Sequence, residues 1–218
     1  MSTLDTAAAR ARGHQQAQAH SPENATLRGD QRRTALLGAL DALLQDSTLE
    51  AINISEISRR AGVTRSAFYF YFENKAAAVA ALMEQMYDDT AAAAAHLTGE
   101  GSPQERIEGT IRGLFASWDR HEHLCRATLE ARASSPAVRE LWDADRESFV
   151  PVVAAMIEAE RAAGRAPGGV PATTLATVLL ELNDRMLERV ALGGPLARED
   201  LVEGVVAVWL RTIYGRTS

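Results

Sequence analysis

Cysteine occurs once, at Cys125, and lysine once, at Lys75. A single cysteine excludes an intrachain disulfide framework and a thiolate zinc cluster, and it reads as a small core residue in a reducing compartment. Long apolar runs are missing too. Nothing approaches the roughly 18 consecutive apolar residues of a membrane helix, so no membrane partner is expected. Arg10 and Arg12 are not followed by an apolar segment, which argues against a secretory signal and for a cytoplasmic location. Period-two alternation bounded by turn residues is absent, as is any internal repeat. No Ser-His-Asp or phosphate-loop spacing occurs, so no catalytic residues and no cofactor are expected. His121 and His123, two apart on a predicted helix, cannot face one metal ion.

What remains is helical, acidic and unevenly charged. The chain has 218 residues and a net charge of −6, long enough for a sizeable core. Residues 1–80 carry 9 basic against 8 acidic side chains, and residues 81–218 carry 14 against 21. The acid therefore belongs to the second part. An overall negative charge disfavours nucleic acid at first sight, but the first part is free of that penalty.

The order along the chain predicts an all-α protein of about nine helices. Residues 1–29 hold almost no large apolar side chains and read as a disordered tail. Residues 30–75 read as a helix-turn-helix domain, and 76–218 as a second, all-helical domain. Leu36, Leu37, Leu40, Leu43 and Leu44 recur at helical spacing and predict a first helix over about 31–46. Asn53 followed by Glu56 is a capping-box pattern opening a two-turn helix that Gly62 ends, and Thr64 can cap the next, reaching Tyr71 or Phe72. Asn74 can cap a long helix through about Ala95. Ser102-Pro103 with Glu105 opens another. Ser135-Pro136 begins a single long helix ending before Gly164. The last two helices open at Pro171 and after Gly193-Gly194-Pro195, the final one stopping at Tyr214-Gly215.

The third helix carries the informative surface. Phe68 and Phe72, four apart, plug into the first two helices, while Arg65 and Tyr69, also four apart, point the other way with Ser66 beside them. A helix in the DNA major groove needs such reach from its N-terminal turn, and an arginine can pair bidentately with guanine. Tyr69 and Tyr71 offer hydroxyls to phosphates and flat faces to thymine methyls. Lys75 follows the cap Asn74, where a cation opposes the helix dipole; a gripped phosphate would compensate it.

The segment NISEISRRAGVTRSAFYFYFENK, residues 53–75, resembles the helix-turn-helix of TetR-family bacterial transcriptional regulators: the Ala-Gly turn, a short recognition helix with a central tyrosine, a closing phenylalanine and a lysine three residues on. Ala67 stands where the family usually has a phosphate-binding threonine, and Glu73 where it usually has proline. The resemblance implies a dimer on double-stranded operator DNA, with Thr64, Arg65, Ser66, Tyr69, Tyr71, Asn74 and Lys75 as candidate contacts. Further on, SPAVRELW, AAMIEAERAAG, LNDR and VWLRTIYG are similar in order and spacing to a mycobacterial branch of the family, the ethionamide-resistance repressors. That similarity implies a homodimeric repressor whose C-terminal domain encloses an apolar ligand tunnel.

The residues of the second part support a cavity independently. Trp118, Trp142, Phe149 and Trp209 are large and lie on four segments, and Asn183 sits on the apolar stripe of Val178, Leu179, Leu182 and Met186. A buried amide needs partners, which a ligand, a neighbouring carbonyl or a dimer interface could supply. With the resemblance, the candidates for a small hydrophobic ligand are Leu114, Phe115, Trp118, Trp142, Phe149, Val152, Leu179, Asn183, Met186, Leu187 and Trp209. Leu180 stands where that branch has a second tunnel asparagine. The last two helices, with Leu182, Met186 and Val190 on one and Leu201, Val205, Val208, Trp209 and Thr212 on the other, are expected to pair across a two-fold axis. Acidic positions such as Glu158 and Glu160 read as solvated faces. The rival readings are a helical carrier of hydrophobic small molecules, or an enzyme, in which the helix-turn-helix is incidental, and a nucleoid protein.

Overall fold

The computed structural model describes residues 22–215, all helix and connecting turn with no strand among them. The helices are α1 (Pro22–Leu44), α2 (Ile54–Arg60), α3 (Arg65–Tyr71), α4 (Lys75–Ala94), α5 (Pro103–Arg120), α6 (Glu122–Ser134), α7 (Pro136–Ser148), α8 (Val150–Ala162), α9 (Ala172–Ala191) and α10 (Arg198–Tyr214), with a short 3-10 helix at Ala95–Thr98. The expected tail is corrected in part. Its last residues, from Pro22, already belong to α1, and residues 1–21 lie outside those described.

Local chemistry sets most boundaries. Asn53 Oδ1 accepts from the amide of Glu56 at 2.9 Å, satisfying an orphan donor at the start of α2. At the other end Gly62 takes φ 68°, the left-handed turn open to glycine, and the amide of Val63 closes back onto the Ser58 carbonyl at 3.0 Å. Ser102 and Glu105 form the complete capping box of α5. The single long helix expected from Pro136 is instead two helices. Pro151 has no amide hydrogen to continue the ladder, so the chain bends at Phe149 and Pro151 occupies the first turn of α8.

Two apolar cores result. The first joins Leu36, Leu40, Ile57, Phe68, Phe72, Val79 and Leu82, and it does not stop at residue 75, since Leu124, Ala127 and Ala131 of α6 and Val138 of α7 complete it. The second gathers Ile107, Ile111, Phe115, Ile157, Leu179, Val205 and Trp209. Helix α4 runs between them, and Met83 and Met86 pack against both. Glu160 is not on a solvated face. It is buried, with Arg106 at 2.8 Å and Arg165 at 2.8 Å, and these guanidiniums hold its carboxyl down to about 2. Leu201, Val205 and Trp209 of α10 are likewise buried within their own chain. The surface left to α9 and α10 is narrower than expected, with Val178 58% and Val208 42% exposed.

Candidate DNA-reading surface and internal cavity

Helix α3 has seven residues, too short to persist alone, and it is held by what it buries. Phe68 is fully buried and Phe72 nearly so, their rings 5.6 Å apart. That anchoring turns the opposite side outward. Arg65, Ser66 and Tyr69 are exposed, and the Arg65 guanidinium lies 3.3 Å from the Tyr69 hydroxyl and 5.8 Å from the ring centre. Tyr71 is half-buried between Phe70 and Phe72.

Phe70 was not singled out from the sequence, yet at 81% exposed it is the barest large apolar side chain of this helix. Its position was legible: two residues from each of two buried phenylalanines, a helical residue faces away from both.

Thr64 and Asn74 spend their side-chain oxygens as caps, Thr64 Oγ1 accepting from the amide of Ala67 at 3.2 Å and Asn74 Oδ1 from that of Ala77 at 2.9 Å. Lys75 has partners within the chain. Its Nζ donates to the carbonyls of Leu49 at 2.5 Å, Glu50 at 3.1 Å and Ile52 at 2.5 Å. The charge that opposes the α4 dipole is thus matched by three carbonyl oxygens of the α1–α2 loop, and all three ammonium hydrogens are used.

The second core borders a half-open cavity of about 100 Å³. Of the expected ligand residues, Leu114, Trp118, Trp142, Phe149, Val152, Asn183, Leu187 and Trp209 line it. Phe115, Leu179 and Met186 do not. Phe115 and Leu179 are buried in the surrounding core and Met186 packs on its rim, each on the same apolar stripe but rotated away from the void. Lining residues missed by the sequence reading include Met83, Met86, Tyr87 and Thr90 of α4 and Cys125 and Thr128 of α6. Small and thioether side chains in a helix interior carry no outward sign of a cavity, so only the packing identifies them.

Polar groups punctuate this lining. Asn183 Oδ1 accepts from Trp209 Nε1 at 3.1 Å, and its NH2 group has no partner among the described residues. Asp184 Oδ2 accepts from Trp142 Nε1 at 2.9 Å and from Arg146 at 3.3 Å, and burial pushes its carboxyl up to about 6. The Cys125 thiol is pushed up to about 12 by burial, so it stays protonated and apolar in character. His121 and His123 diverge, one to Asp89 at 3.2 Å and the other to Asp41 of α1 at 2.8 Å.

A family model described as bacterial regulatory proteins, tetR family, matches residues 36–82, and one for the C-terminal domain of transcriptional regulator EthR matches 107–215. The HTH-type transcriptional regulator EthR of Mycolicibacterium smegmatis is 34% identical over 191 residues, covering 86% of this chain and 88% of that protein. Its counterpart in Mycobacterium tuberculosis is 33% identical over 194 residues, with 86% and 89% covered. Among solved structures, the fatty acid degradation regulator FadR from Bacillus halodurans superposes with a TM-score of 0.66 at 16% identity, covering 82% of this chain and 94% of that one. At that identity the likeness speaks for the fold alone. With one model on the helix-turn-helix, another on the cavity-bearing helices and relatives spanning nearly the whole length, this chain belongs to the tetR family of bacterial regulatory proteins, with a C-terminal domain of the EthR type.

Proposed function

We infer that this protein, a DNA-binding transcriptional regulator, works as a homodimeric repressor that presents two copies of α3 to a palindromic operator and is released when a small apolar molecule enters the cavity. The observation that carries the DNA reading is the division of α3 into a buried Phe68–Phe72 side and an exposed Arg65–Ser66–Tyr69–Phe70 side. Arg65 reaches base edges, Tyr69 and Tyr71 offer hydroxyls to phosphate, and Phe70 has an apolar face for a thymine methyl. The amides at the start of α4 add a dipole directed at the backbone. Lys75 acts one step back, by fixing the loop that supports α3 and α4.

Release follows from α4. Met83 and Met86 touch both the cavity and the core that seats α3, so a ligand that widens the cavity displaces the support of the recognition helix. Widening is required, because drug-sized ligands occupy roughly 300–1,000 Å³. Binding lowers DNA affinity only as far as the ligand prefers the spread dimer, typically about 1–3 kcal/mol of coupling.

The test is fluorescence anisotropy with a duplex from the DNA beside the protein's own gene, chosen for an inverted repeat. A dimer neutralising about 6–8 phosphates is expected to lose affinity with a log–log salt slope of about −5 to −7. Arg65→Ala is expected to cost about 1–3 kcal/mol and to relax preference at one position per half-site. A flat salt response would overturn the reading. Apolar amides, esters and ketones that raise the melting temperature without weakening operator binding would overturn the release mechanism alone.

A further inference from the structure

The cavity is not evenly apolar. Where α7 faces α9 its lining includes Asp145, Arg146 and Asp184. The Arg146 guanidinium is shared among Asp143 at 3.2 Å, Glu181 at 3.1 Å and Asp184 at 3.3 Å. Asp145 adds a fourth carboxylate to this stretch, and it has no ion pair or hydrogen bond to its carboxylate among the described residues. Burial raises its pKa with no partner to offset the effect. One guanidinium is thus taken up by three carboxylates, and Asp145 is left on the cavity lining without an ion-pair partner among the described residues.

A second, independent feature lies on the α6 side of the cavity. Thr128 is 1% exposed, lines the cavity, and its Oγ1 has no hydrogen-bond partner. An unmet buried hydroxyl costs about 1–3 kcal/mol, a deficit that a donor arriving with a ligand would cancel. Aromatic rings complete the surface. Trp118 and Trp142 meet edge to face at 5.9 Å, and Phe149 lies 5.7 Å from Tyr87. Such faces attract cations as well as apolar groups, and the Trp142 ring already carries the Arg132 guanidinium 4.8 Å from its centre.

We propose that the ligand of this cavity is an amphiphilic monocation, a protonated amine on an apolar body, its ammonium held at Asp145 and its body lying along Trp118, Trp142 and Phe149. The proposal rests on the reading of the cavity as a ligand site and narrows it to one chemical class. A neutral ligand would seal Asp145 from water with no counter-charge, and an anion would do so while adding a second negative charge. Arg146 cannot rescue an anion, since its guanidinium is already engaged by three carboxylates.

Three probes of matched shape decide between these cases: phenylbutylamine, phenylbutanol and phenylbutyrate, titrated calorimetrically into the full-length protein at neutral pH. The amine is expected to bind at least about tenfold more tightly than the alcohol, with the carboxylate weakest. Asp145→Asn is expected to abolish the amine-to-alcohol difference. The comparison in the unaltered protein stands even if a variant folds poorly. Equal binding of amine and alcohol, or tightest binding of the carboxylate, would overturn the cation assignment and leave the cavity as a ligand site. If no probe binds and none releases operator DNA, both readings fail together.

Discussion

Lys75 shows how much one side chain can hold. It ties the first turn of α4 to three carbonyls of the α1–α2 loop, the loop that sets α2 against α1. Lys75→Met keeps the stem but leaves those carbonyls without the ammonium, and is expected to lower the unfolding free energy by about 2–3 kcal/mol in urea titrations. The salt slope of DNA binding is expected to stay the same. A slope smaller by about one with unchanged stability would instead identify Lys75 as a phosphate contact. Asp184 makes the opposite contribution. Its carboxyl titrates near 3.8 in the unfolded chain and at about 6 when folded, raised by burial. The folded state thus binds the extra proton between those values, and stability falls as pH rises through that window. Asp184→Asn keeps an acceptor for Trp142 and carries no charge. Between about pH 4 and about pH 7 the stability difference between variant and native protein is expected to shift by about 2–3 kcal/mol in the variant's favour, measured by thermal or urea unfolding. Glu160 titrates alike in both proteins and drops out of the difference.

Among the helices, α3 and α4 depend on each other. Seven residues cannot maintain a helix, so the angle at which α3 offers Arg65 and Tyr69 is set by Phe68 and Phe72 in a core that α4, α6 and α7 complete. The bend between α7 and α8 serves the cavity in a similar way, because a continuous helix through Phe149 would carry that ring and Val152 away from α4. Helices α9 and α10 leave Val178 and Val208 uncovered and Leu182 half-exposed, while Leu179, Leu187, Leu201, Val205 and Trp209 are buried within the chain. A two-fold pairing of these helices would bury both valines. Val178→Glu combined with Val208→Glu is expected to convert the protein to a monomer at micromolar concentration in sedimentation velocity, and to lower operator affinity at least about tenfold, since the two half-sites would no longer be joined.

At the scale of the whole molecule, charge and packing divide the work. The acidic excess is carried by residues 81–218, so the helix-turn-helix meets DNA without a repulsive field of its own. The two cores are not independent. They share α4, and His123 of α6 reaches Asp41 of α1 at 2.8 Å. Met83 and Met86 of α4 border the cavity and also pack against the core that seats α3.

The sequence by itself determined whatever depends on neighbours three or four residues apart. Asn53, Thr64, Asn74 and the Ser102–Glu105 pair cap the helices they were expected to cap, and the four-residue spacing of Phe68 and Phe72 was enough to say which side of α3 is buried. These are contacts within one turn, fixed by backbone geometry before any tertiary structure exists. The tertiary structure alone decided the partners of Lys75, which lie 23 to 26 residues away, and the burial of Glu160 against Arg106, 54 residues distant. It also decided why Phe115 and Leu179 are solid core while Met83, Met86 and Thr128 border a void. An apolar stripe on a helix is about 100° wide, and periodicity shows only that it faces inward. Which edge of the stripe meets another side chain and which meets empty space depends on how several helices are rotated against one another, and that rotation is set by the packing of all of them at once.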